Sequence, residues 1–264
     1  MSTLALRNLG CRYDVETVIS DISFTVATGE IIALIGPNGS GKTTLMRAMC
    51  RALKPAQGEV LLDGKNIWQM PIRHVARNIA RVEQGGRIAW PFTVHQLVNL
   101  GRFPHRGWIS SYTPDDHQAV DRAISETGLW DHRSRVISTL SGGENQRAMI
   151  ARALAQKPTI LLLDEPVAHL DIKYKITVLD LVRQLSRDGL SVVVSLHDLN
   201  LAGIYADRIA LLSKGRLFAL GSPAAILTEK NLETVYETEV LVGNHPLNHR
   251  PLVTPIPSWM KKQR

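Results

Sequence analysis

A glycine-rich polar stretch between two apolar segments has the residue types and the spacing that most clearly indicate a chemical function. It runs from Gly36 to Thr43, reads Gly-Pro-Asn-Gly-Ser-Gly-Lys-Thr and fits the spacing G-x-x-x-x-G-K-[ST]. The apolar run 31–35 precedes it and the helix-like run 44–49 follows it. Strand, glycine loop and helix in this order predict a P-loop, in which backbone N–H groups turn inward around phosphate oxygens.

The side chains of this loop predict a bound triphosphate with Mg²⁺. Lys42 is expected to reach the β- and γ-phosphates, and the Thr43 hydroxyl is expected to ligate the metal ion. The loop residues that we expect to bind ATP are Gly36, Pro37, Asn38, Gly39, Ser40, Gly41, Lys42, Thr43 and Thr44.

Two carboxylates follow a second apolar run. The run 159–163 ends at Asp164 and Glu165. A strand would hold Asp164 rigidly where it can orient Mg²⁺, usually through water. Glu165 would then lie beside the γ-phosphate, where a carboxylate can polarise an attacking water. Two acidic residues at a strand end often do no more than interact with solvent. The P-loop upstream is the reason to favour a catalytic role here.

The run Leu-Ser-Gly-Gly-Glu over residues 140–144 has the pattern of a helix start. Ser141 and Glu144 have the spacing of a capping box, and Gly142 and Gly143 leave backbone N–H groups bare. A bare helix start of this kind binds anions. Taken alone, the pattern is better explained by a capped helix with no ligand.

With this run, the sequence resembles the ATP-binding cassette family, whose signature is Leu-Ser-Gly-Gly-Gln/Glu. The resemblance covers about residues 2–240. In that family the signature helix is pressed onto the γ-phosphate held by the P-loop of a second copy. The resemblance therefore implies a homodimer with composite ATP sites and adds ATP-binding residues from the signature, Ser141, Gly142, Gly143 and Glu144. Glu144 stands where Gln is commoner in the family.

Other positions match the family one by one. Tyr13 lies about where an aromatic ring stacks on adenine, with a packed strand tyrosine as the alternative. Gln84 matches the glutamine loop, which senses Mg²⁺ and the transmembrane partner. Asp171 is the acid of the loop that crosses the dimer interface, and His197 matches the switch histidine that contacts the γ-phosphate. The catalytic residues so implied are Glu165, His197 and Gln84, and the metal-binding residues are Thr43, Gln84 and Asp164.

Segments 93–105 and 195–202 look like the cassettes of iron–siderophore, haem and cobalamin importers. This likeness implies an ATPase subunit at the cytoplasmic face of the inner membrane. It would power uptake of a metal chelate through separate transmembrane permease subunits, with a periplasmic or surface substrate-binding protein as an indirect partner. Trp90, Phe92 and Phe103 would form an exposed patch that receives the permease, with an aromatic core cluster as the alternative. A soluble cassette ATPase serving iron–sulfur cluster assembly stays open as a second function.

Composition agrees with a protein of the cytoplasm. Hydrophobic residues make up 44% of the 264-residue chain and charged residues 21%. Apolar runs of about six residues fall far short of the ~20 that span a bilayer, and the N-terminus lacks the layout of a secretory signal. The two cysteines, Cys11 and Cys50, form neither a disulfide framework nor a metal site by spacing. The net charge of +7 would permit nucleic acid, an anionic lipid surface or an acidic partner, but it is spread along the chain without a block of like charges. The family resemblance implies no nucleic-acid partner.

The elements that must position these groups predict an α/β fold. We expect a P-loop NTPase core with a RecA-like sheet, an N-terminal antiparallel β subdomain and a helical insertion. The all-apolar runs 159–163 and 191–195 are typical of strands buried on both faces of a parallel sheet. Ile172, Ile176, Leu179 and Val182 mark one face of a helix. The predicted ATPase domain covers residues 1–245, with a helical subdomain at about 85–156 and an irregular tail at 246–264.

Overall fold

The computed structural model describes residues 3–83, 90–106 and 111–260. Its strands are β1 (Leu4–Tyr13), β2 (Glu16–Val26), β3 (Ile31–Ile35), β4 (Gln57–Leu62), β5 (Lys65–Asn66), β6 (Ile79–Val82), β7 (Ile160–Leu163), β8 (Ser191–Ser195), β9 (Arg208–Ser213), β10 (Arg216–Gly221), β11 (Val240–Asn244) and β12 (Pro251–Pro255). Its α-helices are α1 (Lys42–Met49), α2 (Ile72–Asn78), α3 (Val94–Asn99), α4 (Pro114–Glu126), α5 (Gly142–Leu154), α6 (Ile172–Arg187), α7 (Leu199–Tyr205), α8 (Pro223–Ile226) and α9 (Glu229–Tyr236). Short 3₁₀ turns cover Leu100–His105, Trp130–His132, Ile137–Thr139 and Ser258–Met260.

The central sheet has six strands in the order β10-β9-β3-β8-β7-β6. Strands β9, β3, β8, β7 and β6 run parallel, and β10 returns antiparallel along β9 as a hairpin. Every residue of β3, β7 and β8 is buried, as the apolar runs predict. Because the strands are parallel, the carboxyl ends of β3, β7 and β8 lie at one edge of the sheet, and the residues that follow them meet there.

The N-terminal region forms a separate antiparallel sheet in the order β2-β1-β4-β5. Leu4 of β1 pairs with Val26 of β2 on one side and with Leu62 of β4 on the other. The predicted alternation in β2 is confirmed, because Ile22, Phe24 and Val26 are all buried. This sheet shares one apolar core with α1 and with one face of the central sheet. The antiparallel sheet therefore packs beside the P-loop.

The helical insertion between β6 and β7 packs α3, α4 and α5 against one another. Helix α4 begins as predicted, with Thr113 as the N-cap residue and Pro114 in the first helical position. The buried Arg102 donates to Asp116 through Nε at 2.8 Å and to the Ala155 carbonyl through Nη1 at 2.7 Å. Hydrogen bonds from Thr113 and Arg102 lower the pKa of Asp116 against the opposing effect of burial. The insertion is thus tied together by a buried ion pair.

The predicted irregular tail from residue 246 onward is wrong for residues 251–255. Strand β12 pairs antiparallel with β11, with Val242 opposite Val253. Val253 is buried, and its N–H donates to Asn200 Oδ1 at 2.7 Å. Pro251 and Pro255 suggest irregular structure in the sequence, but they lie at the two ends of a short edge strand, where proline is tolerated.

Among residues 3–83, 90–106 and 111–260, no helix combines the length and the apolar character that crossing a membrane requires.

Candidate functional site

The P-loop connects β3 to α1 and is held by its own lysine. Lys42 Nζ donates to the carbonyl oxygens of Gly36 at 2.8 Å and Pro37 at 3.0 Å. Burial lowers the pKa of Lys42, while Glu165 and Asp164 oppose that shift. The lysine thus places a cation inside a closed backbone loop.

Gly41, at the end of this loop, has a backbone conformation that only glycine fits there. Its φ is +97°, in the region that L side chains rarely adopt, and an added Cβ would collide with Ile19 of β2. The Ile19 side chain of β2 therefore packs directly against the backbone of the loop.

A cleft of about 180 Å³ opens at this loop. It is lined by Val18, Asn38, Gly39, Ser40, Gly41, Lys42, Thr43, Thr44 and Glu165. The Ser40 hydroxyl is buried and has no hydrogen-bond partner among the residues that the structure describes. A donor of this kind suits a phosphate oxygen. Val18 was not among the predicted site residues, because nothing in its own segment indicates that β2 lies beside the loop.

Asp164, at the end of β7, is almost fully buried and accepts hydrogen bonds on both oxygens. Its Oδ1 accepts from Ser195 Oγ at 2.9 Å and from Thr43 Oγ1 at 3.3 Å. Its Oδ2 accepts from Arg81 Nη2 at 3.1 Å. Ser195 and Arg81 were not predicted, although a charged residue within the apolar run of β6 was a visible signal.

Glu165 and His197 meet at the same edge of the sheet. Glu165 Oε1 lies 2.6 Å from His197 Nε2. The Glu165 N–H donates to Ser195 Oγ at 2.8 Å, so one hydroxyl links the backbone of Glu165 to the carboxylate of Asp164. Glu165 has a φ of +49°, a conformation that is uncommon for a residue with a side chain and that often marks functional sites.

The predicted capping box at the start of α5 is confirmed. Ser141 Oγ accepts from the Glu144 N–H at 3.3 Å, and Glu144 Oε2 accepts from the Ser141 N–H at 2.8 Å. Glu144 Oε1 also lies 3.3 Å from His132 Nε2 and 3.9 Å from Arg135 Nη1. The hydrogen bonds with Ser141 and, to a lesser extent, the charges of His132 and Arg135 lower the pKa of Glu144.

The first turn of α5 is packed against the N-terminal end of α6. A Cβ on Gly143 would approach the Tyr174 ring to 2.5 Å, so the ring and the glycine backbone are in direct contact. A Cβ on Gly142 would lie 3.3 Å from Leu170. Asp171 is the N-cap residue of α6, and its side chain makes no capping hydrogen bond. Ser141, Gly142, Gly143, Glu144 and Asp171 thus lie together, outside the set of residues that lines the P-loop cleft.

Of the two other predicted site residues, the structure describes Tyr13 but not Gln84. Tyr13, at the end of β1, is partly exposed, and its hydroxyl accepts from Arg47 Nη1 of α1 at 3.1 Å. It therefore lies beside the helix that carries the P-loop. Gln84 lies outside the described residues, so its expected place at the metal and at the partner surface stays a prediction.

The aromatic segment is only partly exposed. Trp90 and Phe103 expose 72% and 71% of their surface. Phe92 instead packs against the main apolar core, so the predicted exposure of all three rings is wrong for Phe92. Its backbone fixes it there, because its N–H donates to the Trp90 carbonyl and its carbonyl accepts from the Ile137 N–H.

Comparison with known proteins identifies the family. The model of the family described as "ABC transporter" matches residues 19–168. The probable siderophore transport system ATP-binding protein YusV of Bacillus subtilis is 39% identical over 256 residues, 97% of this chain and 93% of that protein. The hemin import ATP-binding protein HmuV of Thermobifida fusca is 40% identical over 254 residues, 96% of this chain and 88% of that protein.

A solved structure supports the same assignment. A chain of a proposed metal-chelate type ABC transporter in an inward-facing conformation superposes with a TM-score of 0.86 and 26% identity, covering 99% of this chain and 100% of that chain. The chain belongs to the ABC transporter family.

Proposed function

We propose that this chain is the ATP-hydrolysing subunit of an importer that takes up a metal chelate of the iron–siderophore, haem or cobalamin class. The observation that carries this proposal is the convergence of Lys42, Asp164, Glu165 and His197 at one edge of the parallel sheet. The relatives described above, one named for siderophore transport and one for hemin import, give the substrate class.

Nucleotide binding follows from the chemistry of the P-loop. Lys42 and the backbone N–H groups of the glycine loop bind the phosphates, and Tyr13 stacks on the adenine. Hydroxyl and carboxylate oxygens are the ligands that Mg²⁺ prefers, and Thr43 and Asp164 supply one of each within hydrogen-bond distance of each other. Mg²⁺, when bound, neutralises charge on the β- and γ-phosphates. Thr43 and Asp164 would hold it, together with Gln84.

Hydrolysis uses the carboxylate of Glu165 as general base. Glu165 polarises the attacking water and accepts its proton, which is the usual part of a side-chain carboxylate at such a site. His197 orients Glu165 through the 2.6 Å contact and hydrogen-bonds the γ-phosphate when nucleotide is present. Gln84 links the site to the permease.

The second half of each ATP site comes from a second copy of the chain. Ser141, Gly142, Gly143 and Glu144 do not line the P-loop cleft of their own chain, which supports their contacting the nucleotide held by the other copy. Asp171 lies next to this signature and would cross the same interface. ATP would therefore close a homodimer with two composite sites.

The exposed rings of Trp90 and Phe103 support a docking surface for separate permease subunits, because exposed aromatic side chains often anchor partner proteins. The chain would then lie peripherally at the cytoplasmic face of the inner membrane. A periplasmic or surface substrate-binding protein would act on it only through the permease. The relatives reported above give no support to the alternative of iron–sulfur cluster assembly.

The proposal is tested by uptake and co-purification in cells that lack the native gene. Complementation with the wild-type chain should restore uptake of a labelled iron–siderophore, haem or cobalamin, and a polytopic membrane protein should co-purify with it. Phe103→Ala should keep ATP binding but lose the membrane protein and the uptake. Trp259→Ala, a change at another strongly exposed ring in the C-terminal segment, is the matched control and should keep both. Co-purification of a cluster-assembly scaffold without a membrane protein contradicts the importer function.

A further inference from the structure

A buried arginine lies against the carboxylate that is expected to orient Mg²⁺. Arg81 is in β6 between the buried residues Ala80 and Val82, so its side chain points to the opposite face of the sheet from theirs. On that face Ile79 and Leu162 belong to the core that also contains the apolar residues of α1. The guanidinium therefore lies between the sheet and the helix that carries the P-loop.

The guanidinium of Arg81 bridges two carboxylates. Nη1 lies 2.9 Å from Glu83 Oε1, and Nη2 lies 3.1 Å from Asp164 Oδ2. Only 8% of the Arg81 side chain is exposed, and its Nε has no hydrogen-bond partner among the described residues. Burial raises the pKa of the neighbouring Cys50 thiol, and the positive charge of Arg81 opposes that rise. Arg81 is thus a nearly buried cation whose charge is balanced by Glu83 and Asp164.

The two carboxylate oxygens of Asp164 would have to interact with both the Arg81 guanidinium and a bound metal ion. Ser195 and Thr43 occupy Oδ1, and Arg81 occupies Oδ2. A divalent cation held by Asp164 would lie close to the guanidinium. Repulsion between two positive charges is stronger there than in bulk water, because the Arg81 guanidinium and the Asp164 carboxylate are both nearly buried.

We propose that Arg81 competes with Mg²⁺ for the Asp164 carboxylate and so sets the Mg²⁺ concentration at which the site binds nucleotide. The inference rests on the proposed function, because it requires that Asp164 serves a nucleotide-bound metal. Arg81 acts through Asp164 and is therefore a positioning residue. Glu83 also contacts the Arg81 guanidinium. Its negative charge balances part of the charge of Arg81 and so weakens the competition with Mg²⁺.

Nucleotide binding by the full-length chain tests this competition without measuring hydrolysis. Binding of a fluorescent ATP analogue is titrated with Mg²⁺, starting from EDTA, and the melting temperature of each variant is measured in parallel. Arg81→Met removes the charge and keeps an unbranched side chain. It should lower the half-maximal Mg²⁺ concentration by about tenfold, because one nearby positive charge is lost. Glu83→Gln should shift it the other way, by about threefold, because Arg81 loses a balancing charge.

Arg73→Met provides the matched control, since it removes the same charge from the exposed surface of α2 and should leave the Mg²⁺ midpoint unchanged. A purely structural role for Arg81 predicts a lower melting temperature with equal losses of binding in EDTA and in Mg²⁺, and that outcome overturns the inference. If Arg81→Met does not fold, Glu83→Gln decides, and an unchanged or lower midpoint in that variant overturns it. Failure of the wild-type chain to bind the analogue at all would overturn the proposed function itself.

Discussion

The two halves of the proposed ATP site differ in how their polar groups are satisfied. At the strand ends, Lys42, Asp164 and Glu165 each contact other groups of the same site, including backbone carbonyls of the loop, Ser195 and His197. At the start of α5, Ser141 and Glu144 bond to each other, while the N–H groups of the first turn have no intrahelical partner. The first half forms a cleft in one chain, whereas the second half offers a surface to another molecule.

This difference shows where function can be recognised from one chain. The strand-end half contains the cation, the proposed metal-binding oxygens and the carboxylate proposed as the base, so its proposed role can be argued from its own geometry. The half at the start of α5 has the geometry of any capped helix, as the boxes at Thr93 and Thr113 demonstrate. Its proposed role depends on a second copy, and variants that separate the two halves test that dependence.

The largest effect is expected from Glu165→Gln in the strand-end half. Hydrolysis should fall by about 10²–10⁴-fold, the usual contribution of a general base, because the amide cannot accept the proton of the attacking water. ATP binding should persist and trap a stable dimer. Steady-state ATPase rates and gel filtration with ATP measure both outcomes. Hydrolysis at nearly the wild-type rate would show that Glu165 is not the base.

Lys42→Ala should weaken ATP binding itself. The variant loses a charge-assisted contact to phosphate worth about 1.5–3 kcal/mol, which corresponds to an affinity lower by about 10- to 150-fold. Lys54→Ala, at an exposed position of the same charge, is the control and should bind normally. Equilibrium binding of a fluorescent ATP analogue distinguishes the two. Equal affinities would mean that the loop binds phosphate without its lysine.

Ser141→Arg tests the half at the start of α5. Its monomer should bind ATP normally, but the bulky cation should block the facing site of the dimer and stop hydrolysis. Mixing it with Lys42→Ala gives heterodimers in which one site carries both changes and the other carries neither. ATPase activity of the mixture should therefore rise several-fold above either variant alone, in line with the coupling expected of residues that share one site. Heterodimers that form and stay inactive would count against composite sites.

Much of the fold follows from local patterns in the sequence. Continuous apolar runs predict β7 and β8, and capping residues predict the starts of α4 and α5, because both signals depend on neighbours in sequence. The same locality explains why the P-loop is recognisable. Strand β12 was missed because its pairing with β11 and its contact with Asn200 are tertiary interactions that override the proline signal.

The site residues that were missed are those brought in by strand register and helix packing. Arg81, Ser195 and Tyr174 reach the site from β6, β8 and α6, and their own segments contain no motif that names their partners. Helix α6 also shows the limit of periodicity. Its apolar face is buried at Leu179 and Val182, yet Ile172 is 81% exposed, because the N-terminal turn extends beyond the core.

The smallest effect is expected from Glu144→Gln at the start of α5. This change removes the negative charge of the side chain and keeps its shape. The glutamine amide oxygen still accepts from the Ser141 N–H, so the capping box survives. What is lost is the ionic contact with Arg135 and, where His132 is protonated, with His132. Partly exposed ion pairs of this kind contribute about 0–1 kcal/mol to the free energy of unfolding.

The sign of the pH dependence follows from the lowered pKa of Glu144. A carboxylate whose pKa is lower in the folded state contributes stability above its unfolded pKa and loses it as pH falls through the folded one. The wild type should therefore have a higher free energy of unfolding than Glu144→Gln at about pH 7. This gap should shrink towards about pH 4 and below. Urea unfolding measures the gap, and adding His132→Gln to the variant should change little. A gap that widens below about pH 4 would mean that the charge of Glu144 destabilises the fold.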